Sequence, residues 1–211
     1  MKMKTITKIL IGLFITTFLA CNKLTHQVNT SSVDQSSVTN YKSNLSLTNG
    51  KYEIDTGAIL NNNNLQQLIA DIEKTEFVEK KTVAEIPIFI YSLLDSLTGD
   101  FSIANSGEDW QVGCTSMILV DDGKGKITIE KPPKRQLIYF GLGQDLALMT
   151  YYTGGYGKSE HILIFKFENN NILDFWCGNV LEDVKSKSEI LNYLKENKDK
   201  NWGLNTNIIH L

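Results

Sequence analysis

The residues best suited to covalent chemistry are a cysteine and a histidine in the last third of the chain, Cys177 and His161. A predicted hairpin places them diagonally on one face of two antiparallel strands, on the order of 7 Å apart. A histidine beside a cysteine can generate a thiolate nucleophile, and Asp174 or Asn179 could then orient the imidazole ring. The spacing is therefore compatible with a cysteine-dependent hydrolase.

The neighbours of Cys177 favour a structural role instead. In the same hairpin Cys177 lies amid Leu163 and Phe175, where a free cysteine acts as a small hydrophobic residue. Reactive cysteines usually occupy helix starts or polar, partly exposed clefts, and the sequence indicates neither here. We therefore assign no catalytic residue and keep the group of Cys177, His161 and Asp174 as an alternative.

The sequence predicts no metal or cofactor site. Neither Cys-x-x-Cys nor His-x-x-x-His spacing occurs, and Asp121-Asp122-Gly123 lacks the alternating oxygen ligands of a calcium loop. The three histidines are widely dispersed: His26, His161 and His210. The glycine-rich segments 141–143 and 154–157 join strand to strand rather than strand to helix, so turn formation explains them better than phosphate binding.

The first 21 residues follow the plan of a secretory signal. Three lysines precede the apolar stretch Ile9–Leu19, which is roughly 11 residues long, whereas a membrane-spanning helix needs about 20. Phe18-Leu19-Ala20-Cys21 resembles the lipobox of bacterial lipoproteins, in which an apolar residue and two small ones precede an invariant cysteine. Leu19 and Ala20 fit this pattern, and Phe18 is a less usual residue at its position. The alternative is an ordinary signal peptide with a chance cysteine.

The resemblance implies a lipid anchor at Cys21 in the bacterial cell envelope. In that family the cysteine thiol receives a diacylglycerol, the signal is cut just before the cysteine, and the new amino group is acylated, which implies removal of residues 1–20 here. Several acyl chains anchor a protein far more firmly than one. Asn22 stands where an Asp would hold a lipoprotein in the inner membrane under the best-known sorting rule, so its presence favours the outer membrane.

Residues 21–50 are predicted to be the lipidated cysteine and a flexible tether, and residues 51–211 a single domain. More than half of residues 22–50 are Ser, Thr, Asn or Gln, a composition that cannot bury enough apolar surface to fold. Such a coil reaches about 30 Å. Beyond residue 20 the chain has 18 basic and 24 acidic residues, which excludes the basic surface that nucleic-acid binding needs.

Export also bears on the two remaining thiols, Cys114 and Cys177, because disulfides form outside the cytoplasm. A bridge between them would close a loop of about 63 residues and stabilise the fold by a few kcal/mol. Two separate buried thiols are an equal alternative, since the Cβ directions of the two cysteines must match for a bridge. Cys114 and His161 also follow the Cys-then-His order of papain-like hydrolases, although residues 111–115 match no such signature closely.

The domain is predicted to be α+β, with an antiparallel sheet of about six strands, two helices before it and one after. Apolar residues recur at helical spacing in three segments: Leu65–Ile72, Ala84–Thr98 and Ser186–Asn197. Residues 51–55 predict a short strand. From Cys114 onward, short apolar runs separated by turn residues predict six strands: 115–120, 126–130, 135–140, 146–153, 160–168 and 172–177.

The last hairpin carries a prediction of register. A three-residue turn at 169–171 sets Glu168 opposite Ile172, and the ladder continues from there. The predicted pairs are Phe167 with Leu173, Lys166 with Asp174, Phe165 with Phe175, and Leu163 with Cys177. This arrangement separates the charged side chains from the apolar ones, which supports the register.

Aromatic residues are concentrated between positions 139 and 176. Strand alternation puts about half of them, including Trp176, on the face away from the core, where they could form a binding surface bordered by Glu108-Asp109-Trp110. The alternative, which we favour, is that these side chains cover the sheet beneath helices.

Together these features predict an envelope lipoprotein whose domain binds a protein partner or a ligand without catalysis. The order of helices and strands loosely resembles that of small immunity-type domains, which neutralise toxins, and that of helix-on-sheet folds that hold an apolar ligand. The resemblance is one of element order alone. A cysteine-dependent hydrolase acting in the envelope is the alternative.

Overall fold

The computed structural model of the protein describes residues 43–48, 51–113, 117–155 and 157–199. Within these ranges the chain forms ten strands and four α-helices. The strands are β1 (Leu45–Thr48), β2 (Lys51–Ile54), β3 (Val78–Lys80), β4 (Ile103–Ala104), β5 (Ile118–Asp121), β6 (Ile127–Glu130), β7 (Arg135–Leu142), β8 (Leu146–Thr153), β9 (Ser159–Glu168) and β10 (Asn171–Val180). The helices are α1 (Thr56–Leu60), α2 (Leu65–Lys74), α3 (Ile88–Thr98) and α4 (Lys187–Asn197).

The main sheet has six strands and is mostly antiparallel. Strands β10, β9, β8 and β7 lie side by side, and β3 and β4 both pair with the outer edge of β7. Strand β3 runs antiparallel to the end of β7, whereas β4 runs parallel to its start. The predicted α+β class is therefore confirmed.

The membership of the sheet differs from the prediction. The segments predicted as its first two strands pair with each other as the separate hairpin β5–β6. The two remaining strands of the main sheet are instead β3, which has three residues, and β4, which has two. Strands this short show no alternation that a sequence pattern could reveal.

Both faces of the main sheet are covered. On one face Phe89 of α3 contacts Phe167 of β9, with ring centroids 5.1 Å apart. The adjacent residue Lys166 points to the opposite face, where its Nζ lies 3.1 Å from a carboxylate oxygen of Asp71 in α2. Helix α4 packs beside α2 on that second face. The helix-covered interpretation of the aromatic residues is confirmed for Trp176, which is fully buried.

The apolar pattern predicts helix α2 well. All four of its predicted core residues are buried: Leu65, Leu68, Ile69 and Ile72. Helix α4 begins one residue later than predicted, because the hydroxyl of Ser186 caps it by accepting from the backbone N–H of Glu189. The short helix α1 was not predicted. The longest described helices have 11 residues, and none in the described ranges is long and apolar enough to span a membrane.

The predicted start of α3 near Ala84 is wrong. Residues Val83–Glu85 form a 3-10 turn, closed by a capping box between the side chains of Thr82 and Glu85. Helix α3 follows only after Pro87 and ends, as predicted, at Gly99, whose φ of 73° is left-handed. Ile88, an apolar residue of the predicted helix, is 78% exposed because it occupies the first position of the shortened helix.

The folded part of the chain begins earlier than predicted. Strand β1 lies inside the segment predicted to be the tether, and it pairs with β2. Asn44 and Leu45 are buried, at 1% and 5% exposure. The polar composition of residues 43–48 gives little indication of this strand, because Ser43 and Asn44 are held to β10 by hydrogen bonds and Leu45 is the one residue of the segment that joins the hydrophobic core.

The register of the last hairpin agrees with the prediction from Asp174 onward. Lys166 pairs with Asp174, Phe165 with Phe175, and Leu163 with Cys177. Nearer the turn the prediction is wrong, because Glu168 pairs with Asn171 and Phe167 with Ile172. The turn has two residues, Asn169 and Asn170, with φ of 49° and 64°, and an irregularity at Leu173 restores the register.

Candidate functional site

The structure brings together only part of the predicted catalytic group. His161 and Cys177 lie on the same face, since Asn179 is opposite His161 and Leu163 is opposite Cys177. Asp174 is three residues from Cys177 along an extended strand, so its side chain projects from the other face. The expectation that Asp174 orients the imidazole of His161 is therefore wrong.

Asp174 instead joins the start of the described chain to the sheet. Its Oδ1 accepts from the backbone N–H of Asn44 at 2.5 Å and from the hydroxyl of Ser43 at 3.1 Å. Its Oδ2 accepts from the side-chain amide of Asn64 at 3.3 Å. Asp174 is 1% exposed, so these donors replace the water that a carboxylate loses on burial. We call this group the Asp174 clamp.

Cys177 has the environment of a core residue. It is 2% exposed, and burial raises the pKa of its thiol to about 12, so the thiolate is scarce at neutral pH. Cys114 lies outside the described residues, so the bridge between Cys114 and Cys177 and the alternative pairing of Cys114 with His161 remain predictions. Cys21 also lies outside the described residues.

His161 belongs to a buried layer of polar and aromatic side chains. Its ring stacks on Tyr151, with centroids 5.2 Å apart and an interplanar angle of 12°. Its Nε2 lies 3.0 Å from the Thr153 hydroxyl and 3.3 Å from the Ser159 hydroxyl. Tyr151 in turn packs edge-on against Phe101. These contacts hold the imidazole within the core.

Arg135 adds a charged side chain to this layer. It is 5% exposed, and its carbon Cζ lies 4.7 Å from the centre of the Phe101 ring. One of its guanidinium nitrogens donates to the carbonyl of Asp100 at 3.2 Å. Burial lowers the pKa of Arg135, and the neighbouring Tyr151 opposes that shift. An arginine stays protonated despite such a shift, so the layer carries a buried positive charge.

A cluster of titratable groups lies at the other face of the same end of the sheet. Tyr152 of β8 is directly opposite Glu160 of β9. The backbone N–H of Val184 donates to Glu160 Oε1 at 2.9 Å, which ties the segment after β10 to the sheet. Asp183 lies beside both side chains and hydrogen-bonds with the Tyr152 hydroxyl. We call Tyr152, Glu160 and Asp183 the Glu160 cluster.

The pKa values of the two carboxyl groups in the Glu160 cluster are shifted in opposite directions. Burial, together with the charge of Asp183, raises the pKa of Glu160 to about 7. The hydrogen bond from Tyr152 is the main reason why the pKa of Asp183 is lowered. A proton is thus held on Glu160 while Asp183 beside it stays ionised, an arrangement that closely spaced carboxyl groups adopt to avoid mutual repulsion.

Aromatic and basic side chains border the Glu160 cluster. Trp110 stacks on Tyr152, with centroids 6.0 Å apart, and Lys158 Nζ lies 4.0 Å from the centre of the Tyr152 ring. Trp110 comes from the loop that the sequence placed at the border of a surface. No sequence signal indicated the pairing of Glu160 with Asp183, because they lie 23 positions apart. The cluster can hold and release a proton near neutral pH.

A depression of about 460 Å³ lies at the opposite end of the sheet, at the turns that follow β7 and β9. Its lining consists of Gln144, Asp145, Phe167, Glu168 and Asn169. Phe167 is already packed against Phe89. The depression therefore has a mostly polar lining with two carboxylates, unlike the apolar pockets that usually hold small organic ligands.

The β5–β6 hairpin exposes an apolar surface. Met117, Leu119, Ile127 and Ile129 are between 64% and 73% exposed, and Leu119 is directly opposite Ile129. Alternation along the two strands puts all four on one side, which we call the apolar hairpin face. The sequence contained a signal for this surface, since residues 117–120 are continuously apolar, whereas a strand with one buried face alternates.

Among the described residues, no group of three or more His, Cys, Asp or Glu side chains is arranged to hold a metal ion. Comparison of the chain with protein-family models, with curated proteins and with solved structures finds no match.

Proposed function

We propose that the protein is a bacterial lipoprotein, anchored to the envelope through acylated Cys21, whose α+β domain binds a protein partner in a protective, immunity-type role. The observation that carries the proposal is the N-terminal sequence, in which three lysines, a short apolar stretch and Ala20-Cys21 follow in order. The acidic balance of the rest of the chain makes nucleic acid an unsuitable partner. Asn22 favours the outer membrane.

The apolar hairpin face supports binding as the role of the domain. Monomeric soluble proteins rarely leave large contiguous apolar patches in water, and such patches commonly mark interaction sites. The hydrolase alternative lacks comparable support, because Cys177 is buried and its pKa is raised to about 12. A cysteine nucleophile needs a lowered pKa and access to substrate.

The anchor is tested by replacing its acceptor. The variant Cys21→Ala of the full chain should lose incorporation of labelled palmitate and accumulate as an uncut precursor, whereas Cys177→Ala should be labelled and processed normally. Labelling is read from a gel and processing from the mass of the chain. A wild-type chain that is cut but carries no lipid would contradict the proposal.

The protective role is tested by growth. We expect one product of a neighbouring gene to be toxic when exported to the envelope and the full chain to restore growth. The variant Cys21→Ala should restore growth poorly, because the unprocessed chain is not released to its site. If no neighbouring product is toxic, or if none is neutralised by the chain, the immunity-type role is rejected while the result on the anchor stands.

A further inference from the structure

The β5–β6 hairpin projects from the main sheet as an arm. Among the described residues, those at 117–131 make hydrogen bonds within the hairpin and none to the rest of the domain. Asp122 closes its turn by accepting from the backbone N–H groups of Lys124 and Lys126. The base stays near the domain, because Lys131 is one of the charges that lower the pKa of Asp100. The arm thus has a defined shape and an apolar face that the domain itself does not cover.

The charges at the two ends of the apolar hairpin face are opposite. Asp121 pairs with Ile127 at the turn end of this face. Alternation carries the same face past Ile129 to Lys131 at its base. A two-fold axis in the plane of this face, perpendicular to the line from Asp121 to Lys131, would place Asp121 of one hairpin over Lys131 of an identical hairpin, and the reverse at the other end. The face is therefore complementary to itself, as an interface between two copies requires.

From these features we infer that a second copy of this chain covers the apolar hairpin face. Residues 117–131 contain three acidic residues and three lysines, so the arm is neutral although the chain as a whole is acidic. Two copies therefore meet with the least charge repulsion through their arms. A bilayer fits less well, since insertion of this face would desolvate the Asp121 carboxylate among acyl chains.

The size of the face predicts a weak pair. Four side chains at about two-thirds exposure offer on the order of 450 Å² per copy, within the range of the largest apolar patch on a monomer. A pair would bury roughly 900 Å², less than the 1,200–2,000 Å² of stable interfaces. Confinement of both copies to one membrane would raise their local concentration and favour pairing. This last step rests on the proposed lipid anchor, whereas the self-complementary face does not.

Site-specific photo-crosslinking in cells tests the inference on the full chain. With a benzophenone amino acid in place of Leu119, irradiation should give a species of twice the mass of the chain. The same amino acid in place of Leu181, which is 70% exposed near the end of β10, is the matched control and should give none. Adducts at position 119 to lipid or to other proteins, without the doubled species, would overturn the inference.

Charge reversal provides a second, more specific test. Each pair contains two Asp121–Lys131 contacts, so Asp121→Lys or Lys131→Asp alone should weaken pairing by about five- to thirty-fold. The double reversal should restore most of the lost affinity, because the charges again match. Native mass spectrometry of the purified full chain in detergent measures the fraction of pairs, and circular dichroism confirms folding. Equal pairing by all four chains would refute the proposed geometry.

Repeating both measurements with Cys21→Ala separates the inference from the proposed function. If Cys21→Ala loses the lipid but still forms pairs in concentrated detergent solution, the apolar hairpin face is an interface between copies that does not depend on the anchor. Pairing that is absent from wild-type chains at any concentration, while palmitate labelling is normal, would reject the inference and leave the anchor intact.

Discussion

At the scale of single residues, Glu160 shows how burial sets a proton affinity. Its carboxyl group faces Val184 and Asp183 from β9, and it lies opposite Tyr152. Lys158 opposes the rise in its pKa but is exposed to solvent, so burial and the charge of Asp183 prevail. The folded protein therefore binds a proton there over a pH range in which the unfolded chain does not.

We predict that the free energy of unfolding falls as the pH rises from about 4.5 to about 7. In this window Glu160 is protonated in the folded state and ionised in the unfolded chain, so raising the pH favours unfolding. The loss is on the order of 3 kcal/mol for a shift from the ordinary value to about 7. Urea unfolding at several pH values measures it.

The matched variant for this prediction is Glu160→Gln, which keeps the size and the acceptor oxygen but cannot ionise. It should be more stable than the wild type at pH 8 and should lack the decline between pH 4.5 and 7. Glu108→Gln serves as the control, because the pKa of Glu108 is lowered and its effect lies at more acidic pH. A wild-type profile that is flat over this window would contradict the assignment.

At the scale of elements, the β9–β10 hairpin depends on two consecutive asparagines in the left-handed region. A two-residue turn of this kind matches the twist of antiparallel strands, and Asn tolerates positive φ better than most residues. Asn170 has a φ of 64° and lies at the tip of the hairpin. The turn was predicted one residue too long because three asparagines in a row give no indication of which one belongs to the strand.

The effect of a substitution at Asn170 on the free energy of unfolding should therefore depend on how well the new residue tolerates a positive φ. Asn170→Gly should leave the free energy of unfolding unchanged or raise it slightly, whereas Asn170→Val should lower it by about 1–2 kcal/mol, since a β-branched residue is strained at positive φ. Denaturant unfolding of both variants measures the difference. If valine is tolerated as well as glycine, the turn differs from the one described.

How far the sequence predicts the elements depends on whether a pattern extends over enough residues. The apolar spacing of α2 and the pairing of Lys166 with Asp174 could be predicted, because each belongs to a run with one consistent period. Strand β4, with two residues, and the capped turn before α3 could not, since tertiary contacts decide them. The partners of Asp174 were equally hidden, because Asn44 is 130 positions away.

At the scale of the whole molecule, the Asp174 clamp sets where the domain begins. Removing residues 43–50 would delete strand β1 together with the donors from Ser43 and Asn44. Asp174 would remain buried with part of its hydrogen bonding lost, and a buried charge without its donors is strongly destabilising. The polar composition of residues 43–50 does not indicate that the stability of the domain depends on them.

We expect a chain that starts at Ser43 to unfold at a higher urea concentration than one that starts at Lys51. The difference should be about 2–4 kcal/mol, corresponding to the loss of hydrogen bonds to a buried carboxylate. Asp174→Asn in the longer chain should reproduce part of the loss. Equal stability of the two chains would show that the domain begins at residue 51, as its composition suggested.

The same clamp has a mechanical consequence. Asp174, Lys166 and Leu146 lie in one row across the sheet, whereas Arg135, which follows the β5–β6 arm, lies in the row at the other end of the strands. If the chain is held at its N-terminal side and a partner pulls on the arm, tension enters the sheet at one end and leaves at the other. The load then runs along the strands, so interstrand hydrogen bonds, which lie perpendicular to it, resist as a group in shear. Such a geometry suits a protein that must stay folded while pulled between two attachments.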